Sequence, residues 1–283
     1  MDPIIEVKNL HHIYPSGTHA LRGINLKIYP GEFVAIIGQN GSGKTTFVKH
    51  LNGLLKATEG KVLVDGHDVS ARKVSDMARI VGYCFQNPDH QIFCDSVYKE
   101  TAYGPKNLKF SPDEIDRRVD EALTAVGMSH MKDFHPRDLS KGQRQRVAVA
   151  AVLSMRPKVL NIDEPTTGQD YQDGIAMLEL IAQLNKSGHT ILFITHDMPM
   201  VARYAERVVV FRDGEILLDG PTQEVFLKRD ILRTTFLAPP QITSLVLEFP
   251  EFYPKAVLSV KDMLEQTMMI LNHHKPNKNG RED

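Results

Sequence analysis

At 283 residues the chain has room for one large domain with an appendage or for two modest ones, since domains run to roughly 150 residues. Hydrophobic residues at 42% and charged ones at 24%, with only 19 Gly and 16 Pro, exclude wholesale disorder and a collagen-like or linker polymer. Basic residues number 34 and acidic ones 35, a formal charge of −1, so nothing draws the whole surface toward nucleic acid or an anionic membrane.

The first residues, MDPIIEVKN, place Asp2 and Glu6 where a signal peptide would carry positive charge before an apolar stretch, so no export leader is expected. Segments 4–7, 23–28, 33–37 and 61–64 read as strands, followed by 80–84, 159–162, 190–194, 207–212 and 215–219. They alternate with longer helical patterns, which means an α/β fold. FVAII, VLNI and TILFI are apolar at nearly every position, as strands covered on both faces must be, whereas the first two and last two strands alternate more. A mixed sheet with a parallel core and an antiparallel flank is the economical reading. From about residue 87 to 155 the strand signal gives way to helical stretches such as 112–126 and 143–155, a helical subdomain inserted into the sheet domain. The longest apolar runs, such as 147–153, fall far short of the roughly 20 residues that span a bilayer, so any work at a membrane is expected to go through partners. Cys84 and Cys94 build neither a disulfide framework nor a zinc site, which fits a reducing compartment.

Directly after the apolar run 33–37 comes GQNGSGKT, the phosphate-binding pattern G-x-x-x-x-G-K-[ST] in its strand-loop-helix setting. Glycines at Gly38, Gly41 and Gly43 let backbone N–H groups curl around phosphate oxygens, and the adjoining helix N-terminus adds partial positive charge. Lys44 would supply formal charge at the β/γ-phosphates and Thr45 a hydroxyl for Mg²⁺. LSKGQRQRVAVAAVLSM, residues 139–155, starts with Ser140 as a cap and Gly142 as a point of close backbone approach, a second helix N-terminus able to receive an anion. Arg144 and Arg146 oppose that helix's dipole, which hints at an external anion. The natural candidate is the triphosphate bound by another copy of the domain. VLNIDEP ends an apolar strand in two carboxylates: Asp163, placed to hold Mg²⁺ through water, and Glu164, placed to polarise an attacking water as general base. Asn161 is a polar side chain in a central strand that must find a hydrogen bond or cost about 1–3 kcal/mol.

In this order the motifs resemble those of the ATP-binding subunit of an ABC transporter, over residues 4–226. The resemblance implies a P-loop NTPase fold and ATP hydrolysis with ATP and Mg²⁺ as cofactors. Tyr14 resembles the aromatic that stacks on adenine. Gly38, Gln39, Asn40, Gly41, Ser42, Gly43, Lys44, Thr45 and Thr46 match the Walker A loop. Gln86 resembles the glutamine that senses Mg²⁺ and contacts the membrane subunit. Ser140, Gly142 and Gln143 belong to a signature segment that reaches the partner's nucleotide, and His196 in ITHD resembles the switch histidine at the γ-phosphate. The catalytic set implied is Glu164, His196, Gln86 and Lys44; the metal set is Thr45, Gln86 and Asp163. The sequence departs from the family pattern at Asn161, usually aliphatic, at Lys141, most often glycine, and at Thr167 and Gln169, usually small and aliphatic.

FQNPDHQIF, VYKETAYGP and APPQITSLVLEF resemble ATPases of energy-coupling factor transporters, which import vitamins or transition-metal ions. That implies a homodimer, or a heterodimer with a homologous ATPase, peripheral on the cytoplasmic face of the cell membrane. Its partners would be a transmembrane coupling subunit and a substrate-capturing membrane subunit, with no nucleic acid. The alternative is a soluble ABC ATPase acting on nucleic acid, ribosomes or protein assemblies; a single Walker A and balanced charge speak against it. His11/His12 and His273/His274 lack spaced acidic or cysteine partners and read as solvated or packed rather than metal-binding. Residues 227–283 form a small extension in which 259–271 reads as a helix. Met263, Leu264, Met268 and Leu271 share a face that either covers the parent core or seals a subunit pair. About the last 12 residues are expected to be disordered.

Overall fold

The computed structural model describes residues 1–253 and 256–273, with side chains to 271. Its elements in chain order are β1 (Ile5–Ile13), β2 (His19–Ile28), β3 (Phe33–Gly38), α1 (Lys44–Leu51), β4 (Glu59–Val64), β5 (His67–Asp68), α2 (Val74–Met77) and β6 (Val81–Cys84). Then come α3 (Val97–Asn107), α4 (Pro112–Ala125), α5 (Lys141–Leu153), β7 (Val159–Asp163), α6 (Tyr171–Lys186), β8 (Thr190–Ile194) and α7 (Met198–Tyr204). The chain continues through β9 (Arg207–Arg212), β10 (Glu215–Pro221), α8 (Thr222–Leu227), α9 (Arg229–Arg233), α10 (Gln241–Val246) and α11 (Val260–His273).

Two sheets result. Six strands run β10-β9-β3-β8-β7-β6, parallel except for the antiparallel β9/β10 hairpin, and four run β2-β1-β4-β5, all antiparallel. The antiparallel flank expected from the sequence is thus mostly a sheet of its own. β1 and β2 exceed the segments 4–7 and 23–28 because bulges between Val7 and Leu10 and between Leu10 and His12, with Asn9 at φ 47°, break the alternation by which a strand is recognised.

The full burial of β3, β7 and β8 comes from their place between two cores. Phe33, Ala35 and Ile37 enter one core with α5 and α6, while Val34 and Ile36 enter the other with α1 and the antiparallel sheet. Successive side chains alternate between these cores, so no position on the strand is free to be polar without consequence. Asp163 and Thr190 lie at strand ends, but Asn161 sits mid-strand: fully buried, it donates from Nδ2 to the Val48 carbonyl of α1 at 3.5 Å, and its Oδ1 has no partner.

α3, α4 and α5 pack together as the helical insertion between β6 and β7. The extension after α8 is tied to the main body, with Leu232 in the larger core and Leu237 and Leu258 packed against it. Of the α11 stripe, Met263 is half-buried while Leu264, Met268 and Leu271 stay exposed, so three of its four residues do not cover the parent core. α11 keeps helical backbone to His273, past the point where disorder was expected; that expectation and His274 otherwise lie outside the described residues. Among the described residues no helix is long and apolar enough to cross a membrane.

Candidate functional site

The parallel strands β3, β8, β7 and β6 end level with one another: Ile36 pairs with Ile194, Asp163 with Ile194 and Cys84 with Ile162. The loops leaving these strands therefore collect on one edge, the carboxyl edge where open α/β sheets hold ligands. Gly38 closes β3 and leads into the glycine loop, and Asp163 closes β7. His196 and Gln86 each come two residues after β8 and β6. Tyr14 is delivered from the second sheet, just past β1, and its hydroxyl lies 3.0 Å from Thr46 Oγ1.

The glycine loop is shaped by close contact. Gly43 caps α1 at φ 103°, and a Cβ there would sit 2.8 Å from the Ala20 carbonyl oxygen and 2.9 Å from Leu21. Only glycine meets both demands. Lys44 is buried, and its ammonium turns back into the loop, donating to the carbonyls of Gly38 (2.7 Å) and Gln39 (2.8 Å). Burial holds its pKa below the usual lysine range, and the nearby charges of Glu164 and Asp163 oppose that shift. A cation held against carbonyl dipoles at a helix N-terminus is arranged to meet phosphate oxygens. Ser42 is the one loop residue whose side chain does not reach the cleft wall; it is buried with Oγ unpartnered.

The two adjacent acids have different surroundings because the chain turns sharply between them, Glu164 taking φ 45°. Asp163 accepts from the Tyr83 hydroxyl (2.8 Å) and from Thr45 Oγ1 (3.3 Å). Burial first, and Glu164 beside it, raise its pKa against the pull of Tyr83, Thr45 and Lys44. Tyr83 is itself shifted up by burial and by Asp163, so it stays a donor. Glu164 Oε2 accepts from Gln86 Nε2 (2.7 Å) and from the Thr167 hydroxyl (3.0 Å), while Oε1 lies 3.2 Å from His196 Nδ1. The hydroxyl of Thr45 and the carboxylate of Asp163 are hard oxygen donors that fit Mg²⁺, and Gln86 can add its amide oxygen.

Tyr14, Lys44, Thr45, Gln86, Asp163, Glu164 and His196 line a cleft of about 940 Å³ together with the loop residues Gly38, Gln39, Asn40, Gly41 and Thr46. A mixed lining of backbone donors, one cation, two carboxylates and an aromatic suits a nucleoside triphosphate better than an apolar ligand. Ser140, Gly142 and Gln143 do not line it. They form the start of α5, where the Gln143 amide donates to Ser140 Oγ (3.2 Å) and the Ser140 amide to Gln143 Oε1 (2.9 Å), a reciprocal capping box. Gly142 packs so tightly on α6 that a Cβ would stand 2.8 Å from Asp173 Oδ2. The two arginines have partners within the chain. Arg144 donates to the Leu139 carbonyl and pairs with Asp89, and Arg146 donates to the Val126 carbonyl behind α4.

Several participants escaped sequence reading. Tyr83, inside the strand segment 80–84, was not singled out. Gln91 and Gln145 clamp the residue before Gln86: Gln91 Oε1 accepts from the Phe85 amide (3.2 Å), Gln145 Nε2 donates to its carbonyl (3.2 Å), and Gln91 also donates to the Ala148 carbonyl of α5 (2.8 Å). A buried glutamine at 145 on an apolar helix face was the available signal. Leu237, from the C-terminal extension, also lines the cleft; nothing local marked it. Of the histidines, His12 is packed, its Nδ1 3.1 Å from His50 Nε2.

A family profile described as ABC transporter matches residues 21–167. The energy-coupling factor transporter ATP-binding protein EcfA2 of Clostridium perfringens is 46% identical over 253 residues, which cover 86% of this chain and 89% of that protein. Among solved structures, cbiO1 from Clostridium perfringens, part of the ABC transporter complex cbiONQ, superposes with a TM-score of 0.75 at 40% identity, covering 83% of this chain and 94% of that one. A dimeric ATP-binding cassette in a post-hydrolysis state bound to ADP and Pi superposes with a TM-score of 0.69 at 29% identity, covering 77% and 99%. Three other curated relatives, all named as ABC transporter ATP-binding proteins, are longer, and the chain spans only 46%, 41% and 40% of them.

Proposed function

The chain belongs to the ABC transporter family, and from that premise we propose that it is the ATP-hydrolysing, energy-coupling subunit of an importer of the energy-coupling factor kind. The observation that carries the reading is the convergence of Lys44, Asp163, Glu164, Gln86 and His196 on one cleft at the carboxyl edge of the sheet. The likenesses to EcfA2 and to cbiO1 support it further.

Residues 1–226 form the nucleotide unit in this reading, with the inserted helices at 87–155, and 227–283 the extension. Tyr14 stacks on adenine, and backbone amides of the 38–46 loop cradle the phosphates. Thr45, Asp163 and Gln86 would hold Mg²⁺, which would supply positive charge to offset that of the phosphates. Glu164 accepts the proton of the attacking water. Lys44 leaves its loop carbonyls to meet charge developing on the transferred phosphoryl, and His196 and Gln86 orient the water.

One chain leaves the cleft open on the side facing solvent, and Ser140, Gly142 and Gln143 have no place in it. A second protomer, identical or homologous, supplies them, so ATP joins the pair and hydrolysis releases it. The ADP- and Pi-bound dimeric neighbour supports this arrangement. Exposed Leu264, Met268 and Leu271 add a second contact between protomers. Membrane partners, a transmembrane coupling subunit and a substrate-capturing subunit, receive the motion near Gln86 at the cytoplasmic face, and the cargo is a vitamin or transition-metal ion that this chain does not touch.

Glu164→Gln tests the assignment. It should bind ATP, accumulate as a dimer by size-exclusion chromatography with light scattering, and release almost no phosphate. Vigorous hydrolysis by that variant would overturn the role of Glu164.

A further inference from the structure

Two positions at which the sequence departs from the family pattern, Lys141 and Thr167, are joined in the structure. Lys141 Nζ donates to the Thr167 carbonyl over 2.8 Å, and the Thr167 hydroxyl donates to Glu164 Oε2 over 3.0 Å. The Thr167 amide also donates to the Glu164 carbonyl at 3.2 Å, closing a tight turn between them. Gly168 makes room for the lysine: it takes φ 71°, and a Cβ there would stand 2.4 Å from Lys141 Nζ.

We infer that Thr167 is a positioning residue for the water-activating carboxylate and that Lys141 fixes Thr167 in place. The inference rests on Glu164 being the general base. A carboxylate can serve that role only if one oxygen is held and the other is left for water. Glu164 Oε2 is occupied by Gln86 and Thr167, whereas Oε1, which meets His196 Nδ1 at 3.2 Å, keeps a second lone pair for water. Gln86 is exposed and has three side-chain torsions to fix, so it is a soft restraint by itself. Threonine has one torsion and a branched β-carbon, and its hydroxyl is carried on a backbone already pinned from both sides. Lys141 belongs to α5, the helix that presents Ser140, so the same bond ties the start of that helix to the carboxylate within one chain.

The test is steady-state ATP hydrolysis by the full chain and by Thr167→Val, Thr167→Ser and Lys141→Met, each checked for an unchanged melting temperature. Thr167→Val should lower kcat roughly tenfold, with KM for ATP within about twofold, because the group lost orients the base rather than binding the nucleotide. Thr167→Ser should restore most of kcat. Lys141→Met should lower kcat by about threefold alone and add little on top of Thr167→Val, as expected for residues acting in series. Unaltered kcat in Thr167→Val, a serine variant as slow as the valine one, or additive losses in the double variant would each overturn the inference. No phosphate release by the unmutated chain would instead remove the functional reading beneath it.

Discussion

Lys44 is a buried cation whose hydrogen bonds run to its own loop, which suits the proposed role of counter-charge for phosphate. Lys44→Ala should abolish ATP binding in equilibrium dialysis while leaving the fold intact; an affinity unchanged from the original protein would contradict the placement of the phosphates. His50 offers a pH test. It is buried against Thr46 and His12, and burial, with His12 adding to it, holds its pKa below the ordinary histidine value. The folded chain thus binds this proton less readily than the unfolded one. Its contribution to stability is complete above about pH 6.5 and shrinks as the pH falls from there. Melting temperatures between about pH 8 and 5 should fall less steeply for His50→Gln than for the original protein, and equal slopes would count against this account.

At the scale of the element, Asn161 on β7 is the clearest anomaly, with one weak bond to Val48 and an orphaned oxygen between Tyr83 and Leu192 in the sheet. Burying an unsatisfied amide oxygen costs about 1–3 kcal/mol, so Asn161→Leu, with the same branching and heavy-atom count, should raise the melting temperature by a few degrees. A lower melting temperature would mean that the Val48 bond outweighs the orphaned oxygen. The start of α5 allows a sharper separation of fold from function. Aspartate caps helices as well as serine does but carries charge. Ser140→Asp should melt close to the original protein yet lose ATP-driven pairing and turnover, because the added carboxylate would face the triphosphate.

For the whole molecule, the proposed sharing of the cleft between two protomers makes a mixing prediction. Lys44→Ala and Ser140→Asp proteins, each inactive alone, should regain a fraction of the original hydrolysis when combined, since each mixed pair holds one site free of either substitution. Continued inactivity of the mixture would argue against a shared site in a pair of these chains. The order of the motifs along the sequence already placed the residues of the cleft, because each sits at a strand end and carries its residue types with it: GQNGSGKT after β3, the two acids at the end of β7, ITHD after β8. Apolar runs likewise fixed which strands are central. Only the tertiary structure decided that β1 and β2 belong to a separate sheet, since bulges hide their length from a periodicity count. It alone brought Arg144 to the Leu139 carbonyl and Asp89, and Arg146 to the Val126 carbonyl. It alone brought Tyr83 to Asp163, Gln91 and Gln145 to Phe85, and Thr167 to Glu164. Local patterning states what a residue is able to do; which partner it meets depends on strand order and helix packing, and those are properties of the folded chain.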